Sequence, residues 1–151
     1  MERGGALYFH TFEPLRSLGQ GRELARIGLS GRDFGWNVSA DGGRVAVVNG
    51  GRTITLANLH NGSVRKLRIE PGVYSQHVAW DAAGSALFVG GMILHGEGGR
   101  ALYRVDLSGR SQLLWRTTDR WFGEPVPSPD GKQLALAART TEAQVWMLEH
   151  F

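Results

Sequence analysis

The 151-residue chain contains no cysteine, which excludes a disulfide framework and any thiolate metal site. Lysine is almost missing too, with Lys66 and Lys132 set against 15 arginines. The arginines are scattered singly from Arg3 to Arg139, so the net charge of +3 reads as a mildly basic, solvated surface. A nucleic-acid footprint needs clustered cations, and no nucleic-acid partner is expected. No apolar run approaches the about 18 residues of a membrane-spanning helix. Met1-Glu2-Arg3-Gly4-Gly5 also lacks the apolar centre of a signal peptide. No membrane insertion is expected, and the compartment stays open.

The signatures of catalysis are missing as well. Gly-x-Ser-x-Gly occurs nowhere, so there is no hydrolase elbow, and no Gly-x4-Gly-Lys-Ser/Thr phosphate loop exists. The five histidines, His10, His60, His77, His95 and His150, never stand three to five residues apart, which removes the commonest zinc spacing. His95 and Glu97 could share one face of a strand, but they sit in a glycine-rich stretch best read as a loop. Ser75, His77 and Asp81 are the ingredients of a triad strung along one extended segment, where alternate side chains run parallel and cannot converge. Glu124 and Asp119 read as loop carboxylates beside Arg120. The chain is read as a non-enzyme with no cofactor and no metal.

What is plentiful is glycine, 22 residues, without collagen-like periodicity and mostly in turn-like clusters. A hydrophobic fraction of 42% against 21% charged residues supports a folded core rather than disorder. One phrase recurs. Ser128-Pro129-Asp130-Gly131-Lys132-Gln133-Leu134-Ala135-Leu136 is echoed by Ser39-Ala40-Asp41-Gly42-Gly43-Arg44-Val45-Ala46-Val47, and more faintly by Asp81-Ala82-Ala83-Gly84-Ser85-Ala86-Leu87-Phe88. The shared glycines, Gly42, Gly84 and Gly131, are 42 and 47 residues apart.

Two further landmarks keep that period. Short apolar strands begin at Leu7, Ile54, Leu102 and Val145, and arginine-bearing strands follow at Arg22–Ile27, Val64–Ile69 and Arg110–Trp115. A strand-rich repeat of this length is the mark of a propeller blade. The fold expected is therefore all-β, about three four-stranded antiparallel blades in a single repeat region over 6–151. It divides into a partial blade over 6–30, full blades over 33–70 and 73–117, and an incomplete blade over 121–151, thirteen strands in total. The second strands, Arg44–Val48 and Gln133–Ala138, are rich enough in Val, Leu and Ala to be buried on both faces.

Ser128-Pro129-Asp130-Gly131-Lys132-Gln133-Leu134-Ala135, with Val145-Trp146 about ten residues on, resembles the repeats of TolB-like, WD-type β-propellers. Ala101-Leu102-Tyr103-Arg104-Val105-Asp106-Leu107 is similar to the third strand of that group. The resemblance implies a binding or scaffold module like the C-terminal propellers of bacterial sensor proteins. Alternatively, it implies an accessory propeller gating peptide access to a prolyl-oligopeptidase-type hydrolase domain absent from this chain. The family has six blades where this chain has about three. Two chains could therefore form one ring, or these blades could belong to a longer protein.

A binding site on such a ring would lie where connections enter the inner strands, around the central channel. Trp36, Tyr74, His77, Arg120, Trp121 and Glu124 fall at or near those connections and form the candidate rim, for a protein, peptide or small ligand. Structural packing is the competing reading for each. Tyr8, Phe88, Tyr103 and Trp146 recur at blade positions and read as packing between blades.

Overall fold

The computed structural model describes residues 5–10, 23–29, 35–48, 50–69, 73–94, 96 and 98–140. These residues form twelve strands and, among themselves, no helix: β1 Gly5–His10, β2 Glu23–Leu29, β3 Gly35–Val38, β4 Arg44–Val48, β5 Thr53–Asn58, β6 Val64–Arg68, β7 Val73–Trp80, β8 Ala86–Ile93, β9 Arg100–Asp106, β10 Ser111–Thr117, β11 Arg120–Pro127 and β12 Leu134–Thr140. All pairing is antiparallel between chain neighbours. Two four-stranded meanders, β3-β4-β5-β6 and β7-β8-β9-β10, are flanked in sequence by two-stranded sheets, β1-β2 and β11-β12. The thirteenth expected strand, at Val145–Leu148, lies outside the described residues, as do the side chains of Tyr8 and Trp146.

The recurring phrase folds into the same turn three times. Gly42, Gly84 and Gly131 take φ of 69°, 65° and 71°, a left-handed conformation that costs glycine little. Each donates its N–H to the carbonyl three residues back, on Ser39, Asp81 and Ser128. In the first and third copies the serine hydroxyl donates to the aspartate, at 2.5 Å for Ser39–Asp41 and 2.6 Å for Ser128–Asp130. The same hydroxyl accepts the N–H of Arg44, the first residue of β4, or of Gln133, the residue just before β12, at 2.9 Å. The faint middle copy replaces serine by Asp81, whose carboxylate accepts the Ser85 N–H at 2.7 Å and the Ser85 hydroxyl at 2.8 Å. Ser39 and Ser128 hold the carboxylates of Asp41 and Asp130 below their ordinary pKa of 3.8.

Strand β4 shows how side-chain alternation builds two cores. Ala46 and Val48 face β7–β10 and join Ile54, Leu56, Val78, Trp80, Leu87 and Val105 in the main cluster. Val45 and Val47 face the other way, where Ile27 of β2 meets them with Ala57. The sheet β3–β6 is therefore covered on both faces, and each fully buried Val, Leu or Ile contributes about 1.5–3 kcal/mol. Tyr103, expected as packing between blades, is 8% exposed within the main cluster, whereas Phe88 is only half buried.

The first strands of successive sheets lie against one another, β3 on β7 and β7 on β11. The first contact is made intimate by Gly35, where a Cβ would come within 2.6 Å of the Gln76 carbonyl oxygen. Asn37 ties the same pair together. Its Oδ1 accepts the Trp80 N–H at 3.1 Å, and its carbonyl accepts the Trp80 indole N–H at 3.2 Å. Asn37→Ala leaves the Trp80 amide without that acceptor and should cost about 1–2 kcal/mol, read as a lower urea midpoint at unchanged slope.

One expectation fails. Strand β12 repeats the apolar character of β4 and β8, yet where those two are mostly buried, β12 is half-exposed or exposed along its length. The reason is positional: β4 and β8 each have a sheet on both sides, and among the described residues none covers the far side of β12.

Candidate functional site

Turns at one end of the sheets carry the Asp-Gly phrase, and the connections β4–β5, β8–β9 and β10–β11 gather at the other. All six residues expected at or near connections lie within strands, Trp36 in β3, Tyr74 and His77 in β7, and Arg120, Trp121 and Glu124 in β11, because β7 extends back to Val73 and β11 begins at Arg120. Trp36 is on β3 opposite Val47, and 46% exposed. Tyr74 pairs with Met92 and packs its ring over the backbone of Gly50.

His77 and Glu124 occupy equivalent positions, seven residues before the turn glycines Gly84 and Gly131; in the first unit the same position is Gly35. Each lies beside a β-bulge, between Ser75 and His77 in β7 and between Phe122 and Pro125 in β11. A bulge re-aims the side chains around it. Burial lowers the pKa of His77 from its ordinary 6.5, the Glu124 carboxylate opposes this and the Arg100 guanidinium reinforces it. The folded state thus binds the proton less readily than the unfolded chain. Stability present above pH about 6.5 should be lost as pH falls below it. Between pH 7.5 and 5.0 the melting temperature should drop less in His77→Gln than in the wild type.

Arg120 and Asp119 do pair, at a long 3.9 Å between exposed groups. Glu124 does not join them: it lies four residues further along β11. Asp119 is held below its ordinary pKa mainly by the Thr117 hydroxyl, which donates to it at 2.5 Å. Of the triad ingredients, Ser75 and Asp81 are committed elsewhere. The buried Ser75 hydroxyl donates to the Gly51 carbonyl at 2.7 Å, and Asp81 pairs with Arg104 at 3.0 Å. No group of three His, Asp or Glu able to hold a metal gathers among the described residues. His95 and Glu97 lie outside them.

A residue that the motifs did not single out organises this end. Arg100, at the start of β9, is 5% exposed. Its guanidinium donates to the Gln76 Oε1 at 2.8 Å and lies 3.3 Å from the centre of the Trp121 ring, a cation–π stack. With Met92, Gly99, Thr118, Asp119, Arg120 and Trp121 it lines a cleft of about 280 Å³. The signal was in the sequence: Gly50-Gly51-Arg52 and Gly98-Gly99-Arg100 are the same phrase, 48 residues apart. Both glycine pairs take positive φ. Of the six expected residues, the cleft brings Arg120 and Trp121 together; Tyr74, His77, Glu124 and Trp36 do not line it.

A second cleft, of about 200 Å³, lies toward the Asp-Gly turns between the two four-stranded sheets, lined by Arg44, Leu56, Val64, Arg65, Trp80 and Leu107 among others. Arg44 sits 4.6 Å over the Trp80 ring there. It is an inter-sheet crevice next to the core, with no titratable group but arginine.

No helix of the described residues is long and apolar enough to cross a membrane. No family model matches the chain, and no curated protein does either. Among solved structures it is similar to the tricorn protease, at 20% identity and a TM-score of 0.48, over 72% of this chain and 11% of that one. The chain thus spans about a tenth of the protein it matches, and what stands established is an all-β chain of successive antiparallel sheets.

Proposed function

We propose that the chain is a non-catalytic binding module of the β-propeller type, half of a six-bladed ring that a second copy completes. The observation that carries the reading is the row β3, β7, β11, the first strands of three successive sheets lying side by side as inner strands do around a propeller axis. Each four-stranded meander is then a blade, and the two-stranded sheets are complementary parts of one more. Strands β1-β2 supply outer strands, and β11-β12 supply inner ones for the partner's β1-β2.

The exposed surfaces support closure by a copy rather than an isolated half. Val126 on β11 is 61% exposed, the apolar strand β12 is uncovered, and at the other end of the row Trp36 and Val38 of β3 are exposed. Rings of fewer than about four blades are not a usual solution, and open sheet edges invite pairing. Two-fold symmetry would cover both ends with one interface type.

The binding face in this reading is the end where connections enter the inner strands, bearing Tyr74, His77, Arg120, Trp121 and Glu124. It suits a protein segment, a peptide or a small ligand. Titrating ¹⁵N-labelled protein with a library of short peptides tests it. Resonance shifts should gather around Tyr74, His77 and Trp121. Shifts gathered instead at the Asp-Gly end, around Arg44, Trp80 and Leu107, would contradict the assignment of the face.

A further inference from the structure

We infer that Arg100 anchors a subsite for a carboxylate, on the face that the proposed function reads as the binding end. A guanidinium has five N–H donors and cannot be neutralised by losing a proton. Here one donor reaches the Gln76 Oε1, one flat face is covered by Trp121, and no Asp or Glu among the described residues lies within ion-pair distance. An arginine this deeply buried is ordinarily paired, because a buried charge without a counter-charge costs several kcal/mol. Burial already depresses the pKa of Arg100, yet the group keeps its charge, and it borders an open cleft. An anion bound in that cleft would supply the counter-charge.

The chemistry of the anion follows from the walls. The N–H donors of the guanidinium lie in its plane, so an anion meets its edge, the approach that matches the two oxygens of a carboxylate, while Trp121 covers one face. Asp119, kept ionised by Thr117, lines the same cleft and is only loosely offset by Arg120 at 3.9 Å. A fixed negative charge there penalises a dianionic phosphate more than a monoanion. Met92 and Trp121 give apolar wall for the carbon next to the carboxylate. The carboxylate could be the C-terminus of a peptide or a free organic acid.

The test is an NMR titration of the wild-type protein, following the Trp121 indole resonance, with four probes: acetyl-Gly-Leu as free acid, the same peptide as C-terminal amide, succinate, and inorganic phosphate. The free acid should shift the resonance saturably while the amide and phosphate leave it in place. Arg100→Lys, checked for an unchanged melting temperature, should weaken the free acid roughly tenfold, the equivalent of one charged hydrogen bond. Succinate binding as well as the peptide acid would point to a small acid as the source, and peptide binding alone to a chain terminus. Equal shifts from acid and amide would overturn the carboxylate while leaving the binding face intact. Equal response to phosphate would overturn the selectivity, and silence from both peptides would overturn the subsite and count against the face itself.

Discussion

Trp80→Ala should be among the most damaging single substitutions in the chain, costing about 3–5 kcal/mol. Trp80 is 3% exposed at the end of β7, inside the cluster shared by the two four-stranded sheets. Truncation removes a large apolar surface and leaves a cavity that strands fixed by cross-strand hydrogen bonds cannot collapse to fill. It also removes the indole donor to the Asn37 carbonyl, and with it a direct link between β3 and β7. The Arg44 guanidinium loses the ring beneath it. For a domain of marginal stability this loss should unfold much of the population, and denaturant unfolding followed by circular dichroism will read it. A cost under 1 kcal/mol would mean that the two sheets do not depend on this contact.

Gly35→Val should be nearly as harmful for the opposite reason. The position has no room, since a Cβ would sit 2.6 Å from the Gln76 carbonyl oxygen and 3.4 Å from the His77 Cα. Those are backbone atoms of a neighbouring sheet, and they cannot step aside as a flexible side chain can. Either β3 moves away from β7 or the bulge at Gln76 rearranges, at about 1–3 kcal/mol or more. The contrast is Gly123→Ala, whose added methyl would meet nothing closer than the Ala137 Cβ at 3.9 Å. It should stay within about 0.5 kcal/mol of the wild type. Parallel urea unfolding of the two variants separates close inter-sheet approach from a general penalty for replacing glycine. Similar losses in both would contradict the close packing of β3 on β7.

The turns were the most legible part of the fold, because their chemistry is local. A serine followed by an aspartate two residues on and by a glycine at positive φ three residues on specifies one hydrogen-bond pattern, and it appears at Ser39 and Ser128 alike. Even the degraded copy at Asp81 keeps the backbone geometry by substituting one acceptor for another. The bulges at Gln76 and at Gly123-Glu124 were illegible, since they answer to how closely inner strands approach, which no single segment encodes. For the same reason Tyr74 and Trp121 read as loop residues but belong to strands. Arg100 is not legible as a site residue because Trp121, which stacks on it, lies in a strand of another sheet. Its repeated Gly-Gly-Arg phrase was visible but silent about which copy borders a cleft. The exposure of β12 was hidden for a further reason: Leu134, Ala135 and Leu136 encode burial on both faces, and the partner for one face is not among the described residues.

That uncovered strand makes the solution mass the most direct test of the account. Light scattering behind size-exclusion chromatography, repeated over a hundredfold range of concentration, should give a single species at twice the 16.5 kDa chain mass that persists on dilution. Exposing the β3 and β11–β12 faces to a charged substitution, Val126→Glu, should shift that species toward monomer. A wild-type protein that runs as a well-folded monomer at every concentration would contradict closure of the ring by a second copy.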